Sequence, residues 1–199
     1  MLTRTWTWTA EPGCKVTVTN PTDAELVEAC LAGDRDAFGI LVGRYQHHVY
    51  KLCYRFVGNH EDASDLAQDV FIRAYRGLKN FKGQSSLGTW LYRIAVNVCL
   101  NKVGATTPRP EALDPLLLKN DQRITAPDES ASEAMLRDER AGQVRAAIAK
   151  LPRKQRATLI LRVYHELPHN EIAGILGSSV GAVKANFFHA LNNLKKLLQ

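Results

Sequence analysis

The chain of 199 residues has few of the features that indicate export, a membrane span or a metal centre. No apolar run reaches the roughly 20 residues that a membrane helix needs, and the longest, near Ile160, is interrupted by Arg162. The N-terminal residues contain no apolar signal-peptide core, so we expect a cytoplasmic protein. The four cysteines share no C-x-x-C spacing, which argues against a disulfide framework or a zinc site.

Strand-like alternation is also missing after residue 20, and no internal repeat is evident. Helical periodicity runs from Asp23 to about residue 103 and resumes near Ala134. Residues 105–135 contain four prolines and six acidic residues, which is typical of a linker. The predicted fold is all-α, with two small helical domains (22–104 and 136–199) joined by a flexible linker, and with residues 1–21 as a mobile tail.

Three apolar stripes predict three helices in the N-terminal domain. The members of the first recur every three or four residues up to a break at Gly58-Asn59: Phe38, Leu41, Val42, Tyr45, Val49, Leu52 and Phe56. A second helix, from about Glu61, is predicted to bury Ala63, Leu66, Ala67, Val70 and Ala74. The third is predicted to be capped by Ser86 and to bury Leu87, Leu91, Ile94 and Val98.

Acidic residues are absent between Asp69 and Glu111, a stretch that holds seven Lys and Arg interleaved with aromatic residues. Cations neutralise phosphates and aromatic rings receive unstacked bases, so this composition suits a surface that holds opened nucleic acid. Trp90, Arg93, Asn97 and Asn101 form a separate column beside the core stripe of the third helix. An ordinary solvated helix face, with Trp90 packed at the edge of the core, is the alternative.

The C-terminal segment concentrates positive charge, with eleven Lys and Arg against four Asp and Glu in residues 136–199, and this favours a polyanionic partner. Residues 169–184, HNEIAGILGSSVGAVK, have the layout of a helix-turn-helix, with Gly177 at the turn and Ser179 as the cap of the second helix. The core-facing residues predicted for that second helix are Val180, Val183, Phe187, Leu191 and Leu194. A generic pair of antiparallel helices is the alternative.

An enzyme is a weaker hypothesis. His47-His48, Cys53 and His60-Glu61 could suggest metal ligation, but no H-E-x-x-H motif or cysteine pair supports it. We therefore predict no catalytic residue, no metal, no cofactor and no small-molecule substrate.

In motif and order, residues 65–76 (DLAQDVFIRAYR), 89–97 (TWLYRIAVN), 151–156 (LPRKQR) and the helix-turn-helix resemble a bacterial RNA polymerase sigma factor. The compact two-domain form is similar to the extracytoplasmic-function group of the sigma-70 family. The resemblance covers about residues 22–103 and 136–198. It implies core RNA polymerase and promoter DNA as partners, an anti-sigma protein as a further partner, and no membrane insertion. The alternative is a helix-turn-helix DNA-binding regulator that acts without polymerase. It would explain residues 151–198 but would leave the carboxylates Asp65 and Asp69 and the Trp90 column without a role.

The resemblance also implies three sets of site residues. Polymerase binding would fall to Asp65, Gln68, Asp69 and Arg73. Opening of the minus-ten element would fall to Phe81, Lys82, Ser85, Ser86, Trp90, Arg93, Asn97 and Asn101. Binding of the minus-thirty-five element would fall to Lys184, Ala185, Phe188 and His189, with Arg153, Lys154 and Arg156 on phosphates.

The sequence departs from the family pattern in the recognition helix. Many relatives carry Ser-Arg where Ala185-Asn186 stands, and Arg where His189, Leu191 and Asn192 stand. The helix therefore offers fewer cations and hydrogen-bond donors than is usual. We expect upstream-element recognition to depend on Lys184 and on apolar contacts from Ala185 and Phe188 with thymine methyl groups.

Overall fold

The computed structural model describes residues 21–105 and 131–199, with side chains for 21–103 and 139–199. In this part of the chain every regular element is helical, which confirms the predicted all-α fold. The predicted tail and linker lie almost entirely outside the described residues, and the domain boundaries stay predictions. The α-helices are α1 (Asp23–Leu31), α2 (Arg35–Val57), α3 (His60–Gly77), α4 (Leu87–Ala105), α5 (Ala131–Ala149), α6 (Arg153–Val163), α7 (His169–Leu176) and α8 (Val180–Leu198).

Side-chain caps and glycines fix the ends of the N-terminal helices. Thr22 and Glu25 form a capping box at the start of α1, and the Asp34 carboxylate accepts from two backbone N–H groups at the start of α2. Gly58 ends α2 with φ of 80°, a left-handed conformation that glycine adopts without steric cost. The sequence patterns missed the break between α1 and α2, where Gly33 has φ of 104°.

The N-terminal domain packs α2, α3 and α4 around the predicted stripes, and α1 lies against α2. Leu52, Phe56 and Val70 are completely buried. Lys102 on α4 bonds to Asp62 on α3 at 2.8 Å, Nζ to Oδ1. This hydrogen bond is the main cause of the lowered pKa of Asp62, so the carboxylate is stabilised in its charged form where the two helices meet.

The C-terminal domain packs α6, α7 and α8 together, with α5 against α8. Its buried side chains include Leu159, Ile160, Ile172, Val183 and Ala190. The largest cluster of buried residues runs without interruption from this domain into the N-terminal domain. The two helical domains are therefore packed against each other, with α2 facing α6 and α4 facing α7.

The core stripe of α8 differs from the predicted one at two positions. Val180 and Leu191 were predicted to point inward, but 40% and 45% of their surfaces are exposed. Val183 is buried as predicted, with Phe187 and Leu194 packed beside it, and Ala190, which was not predicted, is buried as well. The stripe 183, 187, 190, 194 follows the 3.6-residue period of a helix, whereas 180 and 191 lie beyond its edges.

Candidate nucleic-acid interface

The acidic face of α3 is open to solvent. Asp65, Gln68 and Arg73 are exposed and Asp69 is half-buried. Arg73 and Asp69 form an ion pair one turn apart, with Nη2 to Oδ2 at 2.9 Å. These four side chains occupy one region of a helix whose other side is anchored in the core, so they are presented together on a rigid support.

Two apolar side chains on the same helix extend this region, and the sequence patterns did not single them out. Ile72 is 49% exposed and Tyr75 is 51% exposed. Tyr75 also makes an edge-on contact with Phe38 of α2, with ring centroids 4.9 Å apart. Large apolar groups left in solvent beside charged ones are common in protein-binding surfaces. In the sequence, Ile72 and Tyr75 are apolar residues that lie outside the predicted core stripe of α3, and this position could have marked them as surface residues.

The loop before α4 is exposed at Lys82, Ser85 and Ser86. Ser86 caps α4 as predicted, because its Oγ accepts from the backbone N–H of Thr89 at 3.1 Å. Gly83 has φ of 67°, which permits the turn. The cap fixes the direction of α4 and therefore of the side chains that follow the loop.

Trp90 lies half-buried at the edge of the second core cluster of the N-terminal domain. Its ring centroid is 5.3 Å from that of Phe81. The indole also packs on Gly77 at the end of α3. A Cβ atom added to Gly77 would lie 3.5 Å from the indole Cζ2. Trp90 thus packs at the core edge and still keeps part of its ring accessible.

The rest of the column on α4 is exposed: Arg93, Asn97 and Asn101. Arg93 is not free, however. Its Nε donates to the carbonyl oxygen of Gly174 on α7 at 3.2 Å, and its Nη2 donates to the same oxygen. The structure therefore brings one predicted minus-ten residue against the helix-turn-helix of the other domain.

The helix-turn-helix has the geometry that the motif predicts. Gly177 ends α7 in the left-handed conformation, with φ of 57° and ψ of 42°. The Oγ of Ser179 accepts from the backbone N–H of Ala182 at 3.2 Å and so caps α8. Buried Ile172, Ala173 and Val183 hold the helices together. The four predicted minus-thirty-five residues of α8 are all exposed: Lys184, Ala185, Phe188 and His189.

The three cations at the start of α6 have different environments. Arg153 and Lys154 are exposed, and Arg153 donates from Nη2 to the carbonyl oxygen of Leu100 on α4. Arg156 is only 4% exposed and donates from Nη2 to the carbonyl oxygen of Phe56 on α2. In this conformation the Arg156 guanidinium is therefore turned to the protein interior and not to a DNA phosphate.

Within the described residues no group of three His, Cys, Asp or Glu side chains could hold a metal ion. The same residues contain no helix that is long and apolar enough to cross a membrane. Cys53 and Cys99 are buried and form no disulfide. A hydrogen bond with Cys53, together with burial, raises the pKa of the Cys99 thiol far above its usual range, so it is not a reactive nucleophile.

An exposed acidic helix face, an acid-free column of one arginine and two asparagines beside a half-buried tryptophan, and a helix-turn-helix together define a two-domain helical DNA-binding protein. Comparison with known proteins gives the family. Residues 41–107 match the family described as Sigma-70 region 2, and residues 141–194 match Sigma-70, region 4.

Named relatives match over almost their whole length. The chain is 40% identical over 188 residues to the RNA polymerase sigma-H factor of Pseudomonas aeruginosa, covering 92% of this chain and 96% of the relative. It is 38% identical over 182 residues to the ECF RNA polymerase sigma-E factor of Escherichia coli K12, covering 89% and 95%. The chain therefore belongs to the extracytoplasmic-function group of the sigma-70 family of RNA polymerase sigma factors.

Solved structures agree with this assignment. CnrH, in complex with the cytosolic domain of CnrY, is 25% identical and gives a TM-score of 0.61 over 87% of this chain and 94% of that one. The sigma factor RpoE from Bartonella quintana, in complex with the anti-sigma factor NepR, is 19% identical and gives a TM-score of 0.58 over 81% and 96%. The second likeness shows the shared fold alone.

Proposed function

We propose that this sigma factor divides promoter recognition among the three surfaces described above. The exposed face of α3 binds core RNA polymerase, the loop and column at the start of α4 hold the opened minus-ten element, and the helix-turn-helix reads the minus-thirty-five element. The chain acts in the cytoplasm and catalyses no reaction of its own. The observation that carries this proposal is the presence in one domain of an exposed acidic face on α3 and of an acid-free surface on the loop and the start of α4, where half-buried Trp90 lies beside exposed Lys82 and Arg93.

The polymerase surface is supported by its exposure and its chemistry. Asp65 and Asp69 suit a basic partner, while Ile72 and Tyr75 add apolar area that would be desolvated at the centre of a contact. Aromatic and aliphatic anchors surrounded by polar residues are the usual arrangement of a protein interface. Because the opposite side of α3 is in the core, the face can bind without rearrangement of the helix.

The minus-ten surface is supported by the position of Trp90 between the loop and the exposed column. Extruding a base from a duplex costs a few kcal/mol, and stacking on an aromatic side chain returns about 1–3 kcal/mol per base. The amides of Asn97 and Asn101 can both donate to and accept from base edges. Phe81 and Gly77 hold the indole in place, so little ordering of Trp90 is left for the moment of binding.

The upstream surface is supported by the exposure of α8 at Lys184, Ala185, Phe188 and His189. A recognition helix presents the residues near its N-terminus to the major groove. Here those four residues supply one ammonium group, one methyl group, one phenyl ring and one imidazole. We therefore infer that sequence preference comes from contacts with thymine methyl groups, and that affinity comes from Lys184 and from Arg153 and Lys154 on phosphates.

We further propose that an anti-sigma protein binds this chain. The observation in support is that two structural neighbours were solved in complexes, one with the cytosolic domain of CnrY and one with the anti-sigma factor NepR. Co-expression of the chain with candidate membrane-anchored or soluble proteins, followed by purification of a stoichiometric complex that cannot bind core polymerase, would test this partner.

The central experiment is transcription in vitro with core polymerase on a genomic library, with sequencing of the start sites. A functional sigma factor gives start sites that share upstream elements at fixed spacing and that disappear when the chain is omitted. A chain that binds DNA but starts no transcription with core polymerase would refute the proposal and leave a DNA-binding regulator.

A further inference from the structure

The carboxylate of Asp23 ties the start of α1 to α2. Its Oδ1 accepts from Nη1 of Arg44, and its Oδ2 accepts from the hydroxyl of Tyr45. Nη2 of Arg44 also donates to the carbonyl oxygen of Pro21 at 2.8 Å. A capping box already satisfies the start of α1, so the Asp23 carboxylate is not needed as a cap. Both of its oxygens instead hold side chains of α2.

Tyr45 connects this anchor to the first turn of α4. Its side chain is half-buried and packs against both core clusters. A Cβ atom added to Gly88 would lie 3.3 Å from Cε1 of Tyr45 and 3.9 Å from Oγ of Ser86, so the ring lies against the backbone of α4 beside its cap. Burial and the hydrogen bond with Asp23 raise the pKa of the Tyr45 hydroxyl far above its usual range. The hydroxyl therefore stays protonated and remains the donor to Asp23.

The turn that Tyr45 contacts also sets the position of Trp90. The backbone N–H of Trp90 donates to the carbonyl oxygen of Ser86 at 3.1 Å, and Oγ of Ser86 caps the same turn. The second core cluster contains buried Leu26 and Val27 of α1, and Trp90 packs against the same cluster. Helix α1 is therefore linked to the minus-ten surface by an apolar contact and by a polar one.

An aromatic ring that receives a base is most effective when it is already in place, because ordering a side chain during binding costs free energy. Hydrogen bonds behind the binding residues supply this order. We propose that Asp23 and Tyr45 are positioning residues for promoter opening: Asp23 orients Tyr45, and Tyr45 holds the first turn of α4 and with it the indole of Trp90. The part that concerns opening rests on the proposed function of the minus-ten surface. The hold on the indole does not.

The first experiment measures the accessibility of the indole in the free full-length chain. The chain has three tryptophans, so Trp6→Phe with Trp8→Phe leaves Trp90 as the source of indole fluorescence. In this background Tyr45→Phe removes the hydroxyl and keeps the ring. Loss of a hydrogen bond to a charged group shifts an equilibrium by about tenfold, so the turn should leave its held position more often. The constant for acrylamide quenching of Trp90 should therefore rise by about twofold.

Two further variants accompany this measurement. Tyr50→Phe is the matched control, because the hydroxyl of Tyr50 on the same helix also bonds to a side chain, Nδ1 of His60 at 2.6 Å, but Tyr50 packs against the first core cluster alone. It should be quenched like the parent chain. Asp23→Asn keeps the size of the side chain and replaces a charged acceptor by a weaker neutral one. It should raise quenching in the same direction as Tyr45→Phe, and circular dichroism checks that all variants keep their helices.

Permanganate footprinting with core polymerase, on a promoter from the transcription experiment, gives the second readout. Tyr45→Phe should reduce open-complex formation by about three- to tenfold, with binding to core polymerase unchanged, and Tyr50→Phe should open the promoter like the wild type. Because Tyr45 acts through the indole, Tyr45→Phe should cause no further loss in a chain that already carries Trp90→Ala, as is expected of coupled residues. A purely structural role would instead lower core binding and opening together.

Unchanged quenching of Trp90 in both Tyr45→Phe and Asp23→Asn would overturn the hold on the indole. Increased quenching with full promoter opening, or a further loss of opening in the Trp90→Ala chain, would overturn the role in opening. If Trp90→Ala itself opens the promoter fully, the proposed function of the minus-ten surface fails, and the quenching result still decides whether Tyr45 holds the indole.

Discussion

Charge reversal on α3 is the sharpest test of the polymerase-binding surface. We predict that the double substitution Asp65→Arg and Asp69→Arg abolishes binding to core polymerase and leaves the fold intact. The ion pair between Asp69 and Arg73 is exposed, with 41% and 53% of the side-chain surfaces accessible. Such a pair one turn apart stabilises a helix by about 0.2–0.5 kcal/mol, and a like-charge pair destabilises it by a similar amount. The substitution therefore lowers the free energy of unfolding by about 1 kcal/mol at most.

That cost is small beside the roughly 5–15 kcal/mol that stabilises a typical domain, so the variant should stay folded. At the interface the effect is much larger. Like charges placed against each other across a contact cost several kcal/mol, and each 1.4 kcal/mol corresponds to about a factor of ten in affinity. Two reversals against a basic partner should therefore weaken binding by more than about a hundredfold.

The assay is a titration of labelled chain with core polymerase, followed by fluorescence anisotropy, with helicity measured on the same samples. The matched control is Glu28→Arg with Glu139→Arg, which changes the net charge by the same amount. Both glutamates are exposed and lie on helices other than α3. The control should bind like the wild type. If the α3 variant binds core polymerase with undiminished affinity, this face does not contact the polymerase.

Three further predictions concern the promoter surfaces and the fold. Trp90→Ala should reduce open-complex formation by about tenfold, as permanganate footprinting measures it, with core binding unchanged; full melting would mean that Trp90 only packs at the core edge. Lys184→Ala should weaken DNA binding and make the negative slope of log affinity against log salt less steep by about 0.9, whereas His189→Arg should strengthen DNA binding. No effect of Lys184→Ala, or weaker binding by His189→Arg, would mean that another face of α8 meets DNA. The hydrogen bond from Lys102 lowers the pKa of Asp62 from its ordinary value of 3.8. The charged carboxylate therefore stabilises the fold at any pH above 3.8, and this contribution is lost as the pH falls through the lowered pKa. Asp62→Asn should therefore lower the free energy of unfolding by about 0.2–1 kcal/mol at neutral pH and by much less in strong acid; equal loss at both would contradict the ion pair.

The local features of this fold followed from the sequence because each depends on near neighbours in the chain. The stripe of α3 is apolar at every third or fourth position, and Ala63, Val70 and Ala74 are completely buried. The caps at Ser86 and Ser179 and the turn at Gly177 were predicted from residue type and spacing, and the hydrogen bonds confirm them. Each cap needs one side chain and the backbone three residues on, and the turn needs one glycine in the left-handed conformation, so all three are determined locally.

Predictions for α8 were less accurate because apolar residues extend beyond its core-facing stripe. Val180, Phe188 and Leu191 are apolar yet exposed, so an apolar pattern alone offers more than one core stripe. Packing against α6 and α7 selects the stripe that contains Val183 and Ala190. An apolar outer face on a recognition helix is itself what the proposed thymine contacts need, and a sequence pattern cannot separate a side chain left outside for binding from one that belongs in the core.

The partners of the arginines could not be predicted from sequence, because they are backbone carbonyls of another domain. Gly174 and Phe56 lie 81 and 100 residues away from Arg93 and Arg156 along the chain, and a carbonyl acceptor leaves no trace in residue type. A carboxylate partner would have been visible as a complementary charge and would have held the domains together more firmly. Neutral acceptors give hydrogen bonds without supplying a counter-ion for the guanidinium. A sequence pattern therefore cannot locate contacts of this kind.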